Sequence, residues 1–381
     1  GITSLNTSPL SHKIFYKKNE IKEDCKIKVA AKIIGDDLIQ WIEAQPYSAP
    51  LARNPVPQMT LAETLAQHSF LKFKTGDKFL RITPGEWKVT DWIIIPEKMG
   101  LRIPKGTTLR FGPSFGLISH GPIIMDGTQK NPIVLTGSDE NHKREGWQGV
   151  AVLNSQPQCK WSHVIIRDTN GINNNGWNLT GGINFYKTSI KMDNVTITGS
   201  QSEDALNIVR SKFKLTNVKI QNTTSDGLDS DFSSGVIEDG MFENIGSQGG
   251  GDGIDISGSK VSVIRTNLKN ISDKALSVGE GSELKASDLI IKNVSIGAAS
   301  KDGSRLFISD SKLTGIEKAG LLAYIKKSEY GPAEITAESL VFDSSAKQAI
   351  VQNKNKIIID GVEVPSESLN VKELYSNSVE P

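Results

Sequence analysis

One phrase recurs along the middle of this chain and constrains its fold more than anything else in it. It runs Ser202-Glu203-Asp204-Ala205-Leu206-Asn207, then Ser225-Asp226-Gly227-Leu228-Asp229-Ser230, then Gly251-Asp252-Gly253-Ile254-Asp255-Ile256, then Ser272-Asp273-Lys274-Ala275-Leu276-Ser277. The apolar anchors Leu206, Leu228, Ile254 and Leu276 stand 22, 26 and 22 residues apart. A period near 22 with polar residues in fixed columns predicts a coiled stack of short strands, each column forming a ladder along one face.

The texture around the repeat agrees. From about residue 80, β-branched runs alternate with Gly and Pro, as in Trp92-Ile93-Ile94-Ile95, Thr107-Thr108-Leu109-Arg110-Phe111 and Pro132-Ile133-Val134-Leu135-Thr136. These runs are too short for helices and too closely spaced for βαβ units. With 35 Gly and 6% aromatics, the composition is that of a turn-rich all-β protein. A sandwich would separate its strands by hairpins at irregular steps, without a column every 22 positions. The expected fold is therefore an all-β right-handed parallel β-helix.

The expected division is residues 1–80 as a partly helical N-terminal cap or linker, 81–365 as the coil, and 366–381 as a polar tail. Within the first part, Ile21 to Ala44 has helix-compatible apolar spacing interrupted at Gly35. Thr60 and Glu63 predict a capped helix ending near His68. Pro46, Pro50, Pro55 and Pro57 fill the stretch between as an extended linker. This segment either caps the open end of the stack or docks a partner.

A net charge of +1, with Lys and Arg scattered, argues against a nucleic-acid partner. No apolar run is long enough to span a bilayer. The chain starts at Gly1 without Met, which leads us to expect a signal peptide or upstream domain removed from it. Cys25 and Cys159 either pair or remain two buried thiols, and the absence of a Cys/His cluster argues against structural zinc.

The stretch from about Thr60 to Pro365 resembles the β-helix regions of bacterial exported proteins found with CotH-type kinase-like domains, and more broadly the pectin-lyase-like superfamily. The resemblance is carried by Gly106-Thr107-Thr108-Leu109-Arg110-Phe111, Glu203-Asp204-Ala205-Leu206-Asn207, Gly251-Asp252-Gly253-Ile254-Asp255, Asp273-Lys274-Ala275-Leu276-Ser277 and Ser300-Lys301-Asp302-Gly303-Ser304. It implies an extracytoplasmic protein (periplasmic, cell-surface or secreted), with polysaccharide or cell-surface glycan as partner and a kinase-like domain upstream or associated. The superfamily implies lyases, hydrolases and epimerases, although fold alone does not give function.

If the anchors point inward, Asn207, Asp229 and Asp255 point out from one flat face, and Asp204, Asp226, Asp252 and Lys274 form a parallel column. Neighbouring carboxyls about one rung apart, roughly 5 Å, cannot both ionise without compensation. Either one keeps a proton and an acid–base pair results, or a cation sits between them. We take Asp226, Asp229, Asp252 and Asp255 as the candidate catalytic carboxyls, with Lys274 as base or charge-balancer. Arg210, Asp231, Lys301, Arg305 and Trp177 are candidate substrate contacts.

A carboxyl pair at that spacing suits a retaining glycoside hydrolase. Alternatively Asp226, Asp229 and Asp252 hold Ca²⁺ against a uronate while Lys274 or Lys301 abstracts a proton. The competing reading is structural: Asp and Asn at coil corners bond the turn backbone and stack for stability. An enzyme needs a groove walled by the inserts near 173–180, 247–251 and 326–331; an adhesive or structural module needs only a flat face. A ladder role further predicts that Asp255→Asn costs stability and that Asp229→Asn leaves activity alone.

Overall fold

The computed structural model describes residues 28–32, 39–43 and 56–371, except 141, 142, 145, 156, 175 and 344–346. It separates into two compact units, residues 1–55 and 56–381.

In the first unit, Lys28–Lys32 and Ile39–Glu43 pair as antiparallel strands, with Lys28 opposite Glu43 and Ala30 opposite Trp41. This corrects the helical expectation for that stretch. β-Branched Val29, Ile39 and Ile42 favour extended backbone. Cys25 and the prolines at 46, 50 and 55 lie outside the described residues.

The second unit is a right-handed parallel β-solenoid of about 12 turns. Each regular rung contributes a strand to three parallel sheets. One rung runs Asp204–Val209, Lys212–Thr216 and Lys219–Gln221; the next runs Asp226–Asp231, Ser234–Glu238 and Met241–Ile245. The repeating phrase lies in the first sheet. There Leu206 pairs with Leu228, Leu228 with Ile254 and Ile254 with Leu276, all fully buried. The 26-residue step carries four extra residues before Asp252, so register is kept while a loop bulges out.

The interior is a continuous apolar stack. Trp147 lies stacked on Phe111 with centroids 4.1 Å apart, and its indole N–H donates to the Arg167 carbonyl at 2.7 Å. Phe185 fills its rung against Trp161. Burial pushes the Cys159 thiol up to about 11, as expected of an inert core cysteine. At the N-terminal end sits the helix Leu61–Gln67, with the capping box that its sequence predicts between Thr60 and Glu63. Leu61 and Leu65 pack on the core, and buried Thr64 donates its hydroxyl to the Ile94 carbonyl at 2.8 Å. At the other end Leu369 and Val371 fold back against Ile296, Ala299, Leu322 and Tyr324.

Two polar ladders run along the coil. At the corner after the first sheet, the backbone N–H groups of Thr188, Ser211, Ser233, Ser259 and Ser282 each donate to the hydroxyl one rung on, at 2.8–3.1 Å. At the corner before it, Asn244, Asn270 and Asn293 each donate a side-chain amide to the preceding Asn carbonyl oxygen, at 2.9–3.0 Å, starting from Asn222. These asparagines have φ near +55°, a region that Asn tolerates better than most residues. Ser and Asn suit such stacks because each both donates and accepts, or frees the backbone to donate.

Candidate functional site: an acidic window on the first sheet

The outward column of the first sheet reads Ile94, Ile118, Ala151, Asn184, Asn207, Asp229, Asp255, Ser277, Ala299, Leu322 from one end of the coil to the other. Both ends are apolar and covered. Trp92, Trp177, Leu179 and Tyr186 pack over Ile94, Ile118 and Ala151, while Leu369 and Val371 cover Ala299 and Leu322. Between those covers the column turns polar.

The polar residues are not equivalent. Asn184 is structural: it accepts from the Gly181 N–H at 3.1 Å and donates to the Gly181 and Val150 carbonyls. Asn207 donates to Asp204 at 2.9 Å and to Asp229 at 3.4 Å. From Asp229 onward the stack is carboxyl on carboxyl, with Asp229 and Asp255 in register one rung apart, about 4.8 Å along the coil. This part of the column lacks the amide and hydroxyl donors that build the Ser and Asn ladders. One oxygen of Asp255 is buried without a hydrogen-bond partner among the described residues.

The second column is knitted into the backbone. Asp226 accepts from the Asp252 N–H at 2.8 Å, and Asp252 accepts from the Lys274 N–H at 3.0 Å. The Lys274 ammonium is buried, 3.3 Å from Asp252 and in contact with Asp273. The ammonium is thus held between two carboxylates. One oxygen of Asp252 is thereby committed to Lys274. Among the described residues no three carboxylate, His or Cys side chains converge as metal ligands, so the expected Ca²⁺ trio of Asp226, Asp229 and Asp252 does not fit a cation.

Lys301 is the cation on the site itself. Its ammonium lies 2.9 Å from the Ser277 hydroxyl and 3.6 Å from Asp255. It reaches there across Gly279, where a Cβ would stand 2.6 Å from the Lys301 side chain. Lys326, on the insert after the last covered rung, lies in the field of Lys301, Lys274 and Asp255. Burial, followed by the repulsion of those lysines, lowers its pKa. Asp302 holds this insert by accepting from the Lys326 and Lys327 N–H groups, both at 2.6 Å.

The electrostatics separate the two stacked carboxyls. Burial pushes Asp229 up to about 9, and its charged neighbours Asp204, Asp231, Asp255 and Asp226 all add to the rise. Burial raises Asp255 as well, with Asp252 adding to the rise and Lys301, Ser277 and Lys274 opposing it, so that its carboxyl too stands above the ordinary aspartate range. Asp226 rises to about 8 through burial and then Asp252, and Asp204 to about 6 through burial. Both stacked carboxyls are thus raised, Asp229 among other carboxyls and Asp255 facing the Lys301 ammonium.

Three expected contacts fall elsewhere. Arg305 is exposed on the second sheet, in register with Glu283 and Glu334, so its side chain belongs to a different face. Arg210 lies at the serine corner, its guanidinium 5.6 Å from the Phe232 ring centroid. Trp177, on the hairpin Ile172–Asn174 and Trp177–Leu179, is half-buried over the apolar end of the column. Asp231 is half-exposed at the rim, raised by burial and then by Glu280. The hairpin still borders the window, since Thr180 accepts from the Asn207 amide at 3.4 Å. A shallow apolar recess around Phe307 and Ile308 lies on the second sheet and holds no carboxyl pair.

Neither a protein-family model nor a curated protein matches this chain. Solved structures resemble it. An alginate lyase from Paenibacillus sp. str. FPU-7 is 14% identical with a TM-score of 0.43, over 68% of this chain and 92% of that one. A mutant of a periplasmic alginate epimerase is 10% identical with a TM-score of 0.48, over 78% and 83%. A polygalacturonase from Erwinia carotovora ssp. carotovora is 13% identical with a TM-score of 0.43, over 74% and 90%. What this chain is similar to in each is the parallel coil.

Proposed function

We propose that this protein binds and cleaves a polysaccharide laid along the first sheet, with Asp229 as general acid and Asp255 as the ionised partner. One observation carries the proposal: two register-paired carboxyls sit in the polar window of an otherwise covered face, one among carboxyls and the other facing Lys301. Environments that push paired carboxyls toward unlike protonation are what acid–base chemistry at a glycosidic bond requires. A separation near one rung suits a retaining hydrolase, with Asp255 attacking after Asp229 protonates the leaving oxygen. Lys301 then fixes the orientation of Asp255 and attracts acidic groups on the polymer. Against a uronate the same two carboxyls serve a lyase reaction, Asp255 removing the proton beside the uronate carboxylate and Asp229 protonating the leaving oxygen as the double bond forms.

The scaffold alternative accounts for the serine and asparagine ladders but not for the clustering of carboxyls around Asp229 and Asp255. A polymeric glycan is met at the cell surface, in the periplasm or in the medium, so an extracytoplasmic setting goes with the proposal. No helix among the described residues is long and apolar enough to cross a membrane.

The test is a panel of uronic-acid and neutral glycans, assayed for new reducing ends and for unsaturated products, with and without Ca²⁺. Wild type is expected to release products from at least one glycan without needing Ca²⁺, and the double variant Asp229→Asn/Asp255→Asn to release none. If wild type leaves every glycan intact, cleavage is ruled out and the scaffold reading takes its place.

A further inference from the structure

The corner that follows the first sheet carries a second feature, which the acid–base pair does not use. Lys187 and Arg210 occupy adjacent rungs at this corner, and Phe232 takes the same position one rung on. Lys212 and Lys260 lie in one column of the second sheet, with Ser234 between them. Together they line a recess of about 650 Å³ whose floor includes Thr188, Ser211 and Ser233 of the hydroxyl ladder. Among the described residues, Lys260 is the one of these four cations with a carboxylate partner, Glu283 at 3.9 Å.

The aromatic ring is placed, not merely exposed. Phe232 is 54% exposed, yet it is held on two sides. Arg210 lies against it, and Gly258 lies beneath it at φ +58°, where a Cβ would come within 2.7 Å of the ring. Any other residue at 258 would displace the platform. A half-exposed ring beside the hydroxyl ladder, bordered by rung-spaced cations, offers apolar surface to a sugar ring and charge to acid groups at regular intervals.

We propose that this recess is a second saccharide site, specific for acidic polysaccharide and separate from the acid–base pair. Its charge pattern follows the coil axis, so a polyanion lying along the stack meets Lys187, Arg210 and the column of Lys212 and Lys260 in turn. With a chain net charge of +1 there is no wide positive field of the kind that gathers nucleic acid. The site holds the polymer beside the first sheet and supplies no bond-breaking group of its own.

Affinity electrophoresis of the full chain in gels containing polygalacturonate tests this. It is run on the Asp229→Asn/Asp255→Asn background, so that the polymer is not degraded. Polygalacturonate is expected to retard that protein, with dextran and single-stranded DNA having little effect. Phe232→Ala and the pair Lys187→Ala/Arg210→Ala should each weaken retention at least tenfold, whereas Phe232→Trp keeps it. Unchanged retention in both alanine variants, or equal retardation by single-stranded DNA, overturns the proposal. Retention without any cleavage by wild type leaves this site standing and sinks the function proposed above; cleavage with no loss of retention in either alanine variant does the reverse.

Discussion

Replacing Lys274 by methionine is expected to destabilise the coil by about 3–5 kcal/mol, the largest stability effect of any single substitution near the acidic window. The side chain is 5% exposed, and its ammonium is the cation for Asp252 and Asp273. Removing it leaves two largely buried carboxyls facing each other, in a region where burial already raises Asp273 and Asp226. Methionine matches the length of the stem, so lost packing contributes little and the electrostatic loss dominates. Adding Asp252→Asn should restore part of the stability, because one of the stranded charges goes with it. Equilibrium denaturation of the two variants checks this. A Lys274→Met chain as stable as wild type would show that the buried pair is not what holds the acidic rungs together.

The largest effect on activity is expected at Asp255. Asp255→Asn should lower turnover of a cleaved glycan by about 10²–10⁴-fold, the usual span for loss of a group acting on a proton or nucleophile in the transition state. Its effect on stability should be clearly smaller than that of Lys274→Met. Asparagine keeps an oxygen toward Lys301, and its amide can donate where the carboxylate could only accept, so the rung is not left with a stranded charge. Measuring turnover and melting on the same preparation separates the two roles. Stability lost with turnover kept is the signature of a ladder residue and would contradict the assignment.

Much of this architecture is legible in the chain itself. The 22-residue period places Leu206, Leu228, Ile254 and Leu276 in one buried column, and that is where they lie. The acidic neighbours follow from alternation along a strand. Less legible is which polar columns are structural. Ser211, Ser233, Ser259, Ser282 and Ser304 repeat at nearly the same interval as the aspartates, and so do Asn222, Asn244, Asn270 and Asn293. Spacing marks all three columns alike; donor and acceptor chemistry tells them apart.

Arg305 is close to Lys301 in sequence, yet a corner lies between them and turns it onto another sheet. The partner of Lys301 is equally hidden, because its side chain spans a rung, passing over Gly279 to reach Asp255. The N-terminal stretch misleads for a different reason. Its apolar residues fit helical spacing, but pairing between Lys28–Lys32 and Ile39–Glu43 satisfies both backbones at once and overrides that local preference.

The central claim is that the stacked carboxyls Asp229 and Asp255 hold unlike protonation states. Side-chain carboxyl resonances of protein labelled with ¹³C-aspartate, followed across pH and assigned by comparison with Asp229→Asn, read this directly. The Asp229 signal is expected to stay at its protonated position through neutral pH and to move only as the pH approaches about 9. Titration of Asp229 near the ordinary value of about 4, together with the exposed aspartates, would contradict it.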